Sequence, residues 1–341
     1  MPSFPGPRVE LHCHLDGSVR PATIDELART QGLDLGDSAR QIAVAPSGCR
    51  DFGRYLRAIE PALAVLQSAD ALARAARELV EDWACDGVVH GEVRFAPQLH
   101  ARSGLTPKAA VEAVESGLRA GREQHAVTTS LLVCCLRTDD GGLSNEVARL
   151  AISRTRNDPN GDPCDGVAGL DLAGDEAAVS GARHVEAFRL ARQAGLPITV
   201  HAGELCGPDS IREALDLLGA QRIGHATSVL NDAALVARVV QDEIVVESCP
   251  LSNEQTGSGP RLAEHPLPGM LDRGVRASVS TDCRTVSGVD LRAQEVVLDD
   301  AFGWSYEQHA TAQINAAQGA FLPDDARRAL VDHVRSAHGR L

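Results

Sequence analysis

The chain has 341 residues, 43% hydrophobic but only 3% aromatic, and carries a formal charge of −14 at pH 7. That charge, with arginines scattered among Asp and Glu instead of gathered in a stripe, disfavours nucleic acid or an anionic membrane as partner, and the mixed composition excludes long disorder. No apolar run approaches the roughly 18 residues a bilayer span needs, and the amino terminus has no basic segment followed by an apolar core, so a cytoplasmic enzyme acting on a small neutral substrate is expected.

In chain order, β-type runs occur at residues 8–13, 88–95, 129–136, 166–172, 197–201, 222–225, 243–248 and 275–281, with helical stretches between them. In the stretch 70–85, Leu72, Ala75, Ala76, Leu79, Val80 and Trp83 recur at three- and four-residue spacing, and 184–194 and 209–218 behave similarly. Strand and helix alternating eight times predicts an α/β fold, a (β/α)8 TIM barrel, filling residues 1–341 as one domain. The insertion at 32–69, between strands 1 and 2, is expected over the barrel mouth as a lid. Helical stretches at 290–301, 305–317 and 324–337 predict the last barrel helix and an extra carboxyl-terminal layer. Nine dispersed cysteines without a CxxC pair argue against a disulfide framework and a Cys-type zinc site; most should be small buried hydrophobes.

His12 and His14 stand two apart in LHCHLDGS at the end of the first strand, so both face one side while Cys13 faces the other. Alone, such a pair is weak evidence for a metal. The fifth strand, however, ends at His201 in TVHAGE, which turns through Gly203 to Glu204; the sixth ends at His225 in RIGHATS; the eighth leads into Asp282 in ASVSTDC. The carboxyl ends of barrel strands converge on one mouth, where active sites are built. Three neutral imidazoles and a carboxylate match the N and O preference of Zn²⁺ and leave a position for water, whose pKa zinc brings towards neutrality. Glu204 fits beside the metal as a proton shuttle. For His225 the spacing leaves two roles open, orienting the water or serving as a fourth nitrogen ligand.

From ELHCHLDGS through GLDLAGDE, HAGE, RIGH and ESCPLSN to STD, the chain resembles the adenosine deaminase family, with the motifs in the family's order over nearly the whole length. The resemblance implies one Zn²⁺ per chain held by His12, His14, His201 and Asp282, and a catalytic set of Glu204, His225 and Asp282. Glu204 would protonate purine N1 and His225 would steer the attacking hydroxide. Asp16 would hold the ribose hydroxyl and the Gly174 N–H would meet N3, with His14 and Cys283 beside them at the substrate. The implied reaction is hydrolytic deamination of adenosine or deoxyadenosine to the inosine counterpart and ammonia, in purine salvage, with a small-molecule purine nucleoside as the partner. One departure matters. The family's best-known members carry a second aspartate where this chain has Cys283, and a thiol is a weak hydrogen-bonding group for purine N7. Adenine or a modified adenine nucleoside is therefore the alternative substrate.

Other motifs lead nowhere catalytic. The HxE half-sites His90–Glu92 and His184–Glu186 lack the PCxxC that a cytidine-type deaminase requires. His265, His309, His333 and His338 are expected to be solvated or structural. Asp175 and Glu176 suit the start of a helix through its dipole and stand outside the expected core site. There is no HExxH, Walker A loop or GxSxG elbow. The only lysine, Lys108, lies in a helical stretch, which weighs against a two-metal site bridged by a carboxylated lysine.

Overall fold

The structure, a computed structural model, describes residues 4–155 and 162–339. Eight parallel strands, β1 (Arg8–His14), β2 (Val88–Phe95), β3 (Thr128–Leu136), β4 (Val167–Ala173), β5 (Ile198–Ala202), β6 (Arg222–His225), β7 (Val245–Ser248) and β8 (Arg276–Val279), are hydrogen-bonded in chain order. Helices lie between successive strands, which is the expected (β/α)8 arrangement. The ring closes between β8 and β1 through a bridge of Cys13 with Asp282. There the Asp282 N–H donates to the His12 carbonyl at 2.9 Å and the His14 N–H to the Asp282 carbonyl at 2.7 Å. Deeper in the seam, the Thr281 N–H and hydroxyl both donate to the Glu10 carboxyl, at 3.1 and 2.9 Å.

Two strands are shorter than their hydropathy suggests, for a backbone reason. Glu243 has φ +55°, which no strand residue adopts, so β7 begins only at Val245. Asp282 has φ +65°, and β8 ends before it, at Val279.

The aliphatic core lies between the strands and the helical ring, where Trp83, Phe188 and many Ala, Val and Leu side chains are buried. The barrel's interior is polar instead: Glu92, Arg94, Asp171, Thr199, Arg222 and Glu247 are all fully buried. Its floor is closed by Phe321, which lies beneath the Arg222 guanidinium at 3.6 Å and whose N–H donates to Glu92 at 2.6 Å. The helices Tyr306–Gly319 and Asp324–His338 pack Ala316, Ala317, Leu330 and Val334 against Val9, Leu11 and Val245, forming the extra carboxyl-terminal layer.

At the opposite end, the stretch 32–69 folds into the short helices Ala39–Ile42, Phe52–Arg57 and Glu60–Val65. Asp51 caps the second by accepting from the Arg54 N–H at 2.7 Å. Its Tyr55 reaches across to Ser287, with 2.8 Å between hydroxyls. This insertion roofs the barrel mouth. No helix among the described residues is long and apolar enough to cross a membrane.

Candidate active site

Beneath the insertion lies a cavity of about 340 Å³, in the range of small-molecule clefts. Its wall includes His14, Asp16, Gly174, His201, Glu204, His225, Asp282 and Cys283, while Phe52, Tyr55, Leu56, Ile59 and Leu63 of the insertion form an apolar cover. Every residue expected at the site from the sequence therefore borders this cavity except His12, which is fully buried.

Each polar group stands where a strand ends. His12 and His14 project from the end of β1 with ring centres 5.3 Å apart, while Cys13 turns into the aliphatic layer and meets Ser18 at 3.3 Å. Across the mouth, His201 comes from β5 with its ring centre 4.5 Å from that of His12. Gly224 on β6 makes room for this crowding, because a Cβ there would stand 3.0 Å from His12 Cε1. His225 (φ +64°) and Asp282 (φ +65°) both occupy the left-handed region, a strain that persists only where the surroundings over-determine it.

The nitrogens of His12, His14 and His201 form one group, and those of His12 and His225 form another with an Asp282 oxygen, each within 4.8 Å overall. His14 Nε2 lies 3.2 Å from His201 Nε2, and Asp282 Oδ1 lies 3.4 Å from Nε2 of both His12 and His14. Ligands about 2.0–2.1 Å from a tetrahedral zinc stand about 3.3 Å apart, so these spacings fit one ion. His12 Nε2 is buried without any hydrogen-bond partner, which is costly unless a ligand takes its lone pair.

Charge points the same way. Burial alone would raise the carboxyls of Glu92, Asp171, Glu247 and Asp282, but the groups facing them overcome it: the Arg222 guanidinium for Glu92, the His201 imidazole and Arg94 for Asp171, Arg94 and Arg222 for Glu247, and hydrogen-bonded His12 for Asp282. All four are held below the usual carboxylate range and stay ionised. Only Arg94 and Arg222 balance them from within the network, which leaves two negative charges, the complement of a divalent cation.

The same carboxylates aim the imidazoles. Glu247 accepts from His12 Nδ1 at 2.8 Å and Asp171 from His201 Nδ1 at 3.1 Å, so each ring keeps its proton on Nδ1 and turns a free Nε2 lone pair to the centre. Ser252 donates to Asp282 Oδ2 at 2.5 Å and leaves Oδ1 for the cluster. Glu247 and Asp171 sit in ESCPLSN and GLDLAGDE, motifs whose order is visible in the sequence although these residues' task is not. A charged residue in an otherwise apolar strand was the available signal.

Glu204 stands apart from the nitrogen cluster, with Oε2 3.8 Å from His225 Nε2. Burial pushes its carboxyl up to about 8; His201 opposes the rise, while the Asp282 and Glu176 charges add to it. The group is thus an acid at neutral pH. Glu176 neither opens a helix nor lines the cavity. Its carboxylate accepts from the N–H groups of Gly203, Leu205 and Cys206, at 2.7, 2.5 and 3.1 Å, and also bonds Ser210, clamping the turn that carries Glu204. Gly174, at φ +95°, occupies a conformation that a side chain would strain.

Cys283 borders the cavity yet packs in an apolar group with Ala45, Cys49, Tyr55, Ala58 and Val286. Burial drives its thiol well above the usual range, so it stays neutral, and its Sγ approaches Asp282 Oδ1 at 3.7 Å. Seven of the nine cysteines are buried, as their composition suggested. His265, His309 and His338 are buried structural residues, His265 bonded to Asn253, and His333 is exposed.

A closed parallel barrel with imidazoles and carboxylates gathered at its mouth is the arrangement in which barrel enzymes build active sites, and its donor set could hold a metal ion. Residues 7–337 match the family model for adenosine deaminase. The chain is 35% identical over 335 residues to an adenosine deaminase of Enterococcus faecalis, covering 97% of both chains. Among solved structures it resembles an adenine deaminase from Arthrobacter aurescens, with TM-score 0.87, 28% identity and coverage of 97% of this chain and 98% of that one. It also resembles an amidohydrolase from Burkhoderia ambifaria with bound Zn, with TM-score 0.84, 25% identity and coverage of 95% and 88%. The chain belongs to the adenosine deaminase family, and it is a purine-directed aminohydrolase whose family and neighbours imply a metal cofactor.

Proposed function

We propose that the chain hydrolyses adenosine and deoxyadenosine to inosine and deoxyinosine with release of ammonia, using one zinc ion held by His12, His14, His201 and Asp282. The observation that carries this reading is the placement of the buried Glu204 carboxyl in the cavity beside the imidazole–carboxylate cluster, Oε2 3.8 Å from His225 Nε2, where burial favours its protonated form. When bound, zinc would supply a water of near-neutral pKa.

The chain's own groups do the rest. Glu204 donates its proton to purine N1, which interrupts ring delocalisation and makes C6 electrophilic. His225 and Asp282 orient the oxygen that attacks C6 from the cluster side. The C6–O bond forms and the carbon becomes tetrahedral. Of the attacking water's two protons, one goes to the exocyclic nitrogen and the other returns to the Glu204 carboxylate as the C6 carbonyl forms. The C6–N bond breaks to release ammonia, while the proton first given by Glu204 stays on N1. Asp16 accepts from a ribose hydroxyl and the Gly174 N–H donates to N3, with His14 and Cys283 completing the wall around the base. Residues 32–69 cover the single barrel domain and limit water around the acid.

The cavity's charge favours a neutral ligand. Among the described residues, the carboxylates of Asp16, Glu60, Asp175 and Asp282 line it, with Glu204 as a neutral acid, against one cation, Arg102, which is exposed. A nucleoside suits this better than a nucleotide phosphate. A second reading, deamination of free adenine or a modified adenine nucleoside, is supported by the neutral Cys283 wall and the likeness to the Arthrobacter adenine deaminase. Ammonia release by the zinc-loaded protein on adenosine, deoxyadenosine, adenine, N6-substituted adenosines and AMP separates the two. Turnover of adenosine above the others supports the first reading; turnover of adenine with none of adenosine replaces it with the second.

A further inference from the structure

His225 is the one imidazole of the cluster whose role distance leaves open, because its nitrogen lies near both His12 and Asp282 and near Glu204. Its Nδ1 is 3.0 Å from Asn253 Nδ2. Asn253 Oδ1 is in turn 3.3 Å from His265 Nε2. His265 Nδ1 accepts from the backbone N–H of Leu267 at 3.2 Å. That N–H opens the helix Leu267–Asp272, so it has no partner within the helix.

A chain of hydrogen bonds has a direction, and this one is set at its far end. A backbone N–H only donates, so His265 Nδ1 must carry a lone pair. Burial holds the His265 imidazole neutral, with its pKa driven down to about 3, so its single proton sits on Nε2. That Nε2–H needs an acceptor, which turns Asn253 Oδ1 towards it and the amide NH₂ towards His225. The opposite amide orientation would face two donors at His265, at the cost of an unmade buried hydrogen bond. An amide NH₂ only donates, so His225 Nδ1 also carries a lone pair. The one proton of a neutral His225 then lies on Nε2.

We propose that His265, acting through Asn253, is a positioning residue that locks His225 in its Nε2–H tautomer. His225 thereby becomes a hydrogen-bond donor towards the attacking oxygen and Glu204, and neither a metal ligand nor a general base. The inference rests on the proposed reaction only in placing His225 beside the reacting atoms; the tautomer itself is a property of the folded protein.

The test is nitrogen NMR of the zinc-loaded full-length protein labelled with ¹⁵N-histidine, with signals assigned by the spectra of His225→Gln and His265→Gln. Protonated Nε2 and unprotonated Nδ1 are expected at both His225 and His265. Asn253→Asp replaces the donating NH₂ with an acceptor, and is expected to move the His225 proton to Nδ1 and lower kcat about 10- to 100-fold with little change in KM. His265→Gln preserves the direction of the chain, its oxygen taking the Leu267 N–H and its NH₂ meeting Asn253. It should keep the Nε2–H signal and more of kcat than His265→Leu, which removes both contacts. Protonated Nδ1 at His225 in the parent overturns the proposal whatever the variants do, and so does an unchanged His225 tautomer in zinc-loaded Asn253→Asp. A parent with the Nε2–H tautomer and no adenosine turnover supports the relay and overturns the substrate reading instead.

Discussion

Glu247→Gln tests whether the ionic interior of the barrel builds the metal site. Four donors meet the Glu247 carboxylate: Thr199 Oγ1 at 2.8 Å and Arg222 Nε at 2.6 Å on one oxygen, and Arg94 Nη2 at 2.7 Å and His12 Nδ1 at 2.8 Å on the other. Glutamine is neutral and has one oxygen for them, so both arginines lose a charged partner and one side faces an NH₂ instead. Breaking a fully buried ion pair by removing one partner costs about 3–5 kcal/mol. If the NH₂ faces His12, Nδ1 must become the acceptor and the proton shifts to Nε2, the atom turned to the metal; loss of such an orienting carboxylate lowers metal affinity about 10- to 100-fold. The assays are urea unfolding of metal-free protein and zinc competition with a chelator. An unfolding free energy within about 1 kcal/mol of the parent, together with unchanged zinc affinity, would refute the reasoning. The pH dependence has a definite sign. Facing guanidiniums hold the Glu247 carboxyl well below its usual 4.5, so its contribution is complete above that value and lost as pH falls through the folded-state pKa. The variant's stability should therefore decline less steeply in acid than the parent's.

Glu204→Gln is expected to keep its zinc and lose turnover by about 10²- to 10⁴-fold, since an amide cannot give up a proton to N1; wild-type-like rates would remove Glu204 from the mechanism. In the parent, kcat/KM should fall as pH rises through about 8, because Glu204 acts only in its protonated form, and a flat profile through that region would contradict the assignment. Glu176→Ala frees the N–H groups around Glu204 and should cut kcat about 100-fold through misplacement of the acid, with zinc content retained. Cys283→Ala should change kcat/KM for adenosine by less than about tenfold, as expected of an apolar wall with at most one weak hydrogen bond. A larger loss would give the thiol a direct contact with the base.

Much of this was legible along the chain. Strand-length apolar runs ending in His12, His14, His201, His225 and Asp282 announced both the barrel and its mouth, because the parallel topology sends every strand's carboxyl end to one side. The supporting residues were not. Glu176 reads as a helix-start acid until the turn at 203–206 folds onto it. His265 reads as a loop histidine until the helix Pro250–Thr256 brings Asn253 against it. That Phe52, Tyr55, Leu56, Ile59 and Leu63 of the insertion line the cavity with apolar side chains required the fold.

The sequence by itself determined the order of strands and helices, the residue types at the strand ends and the substitution at Cys283. Those are local properties, carried by periodicity and by neighbours a few residues apart. Tertiary structure decided the direction of each proton and charge. His12 meets Glu247 across 235 residues, and Arg94 meets the same carboxylate across 153. The closing bridge of the barrel runs through the backbone of His12, Asp282 and His14 themselves. Hydrogen-bond donors and acceptors act only at contact distance, so which nitrogen faces the centre is settled when the strands come together and not before.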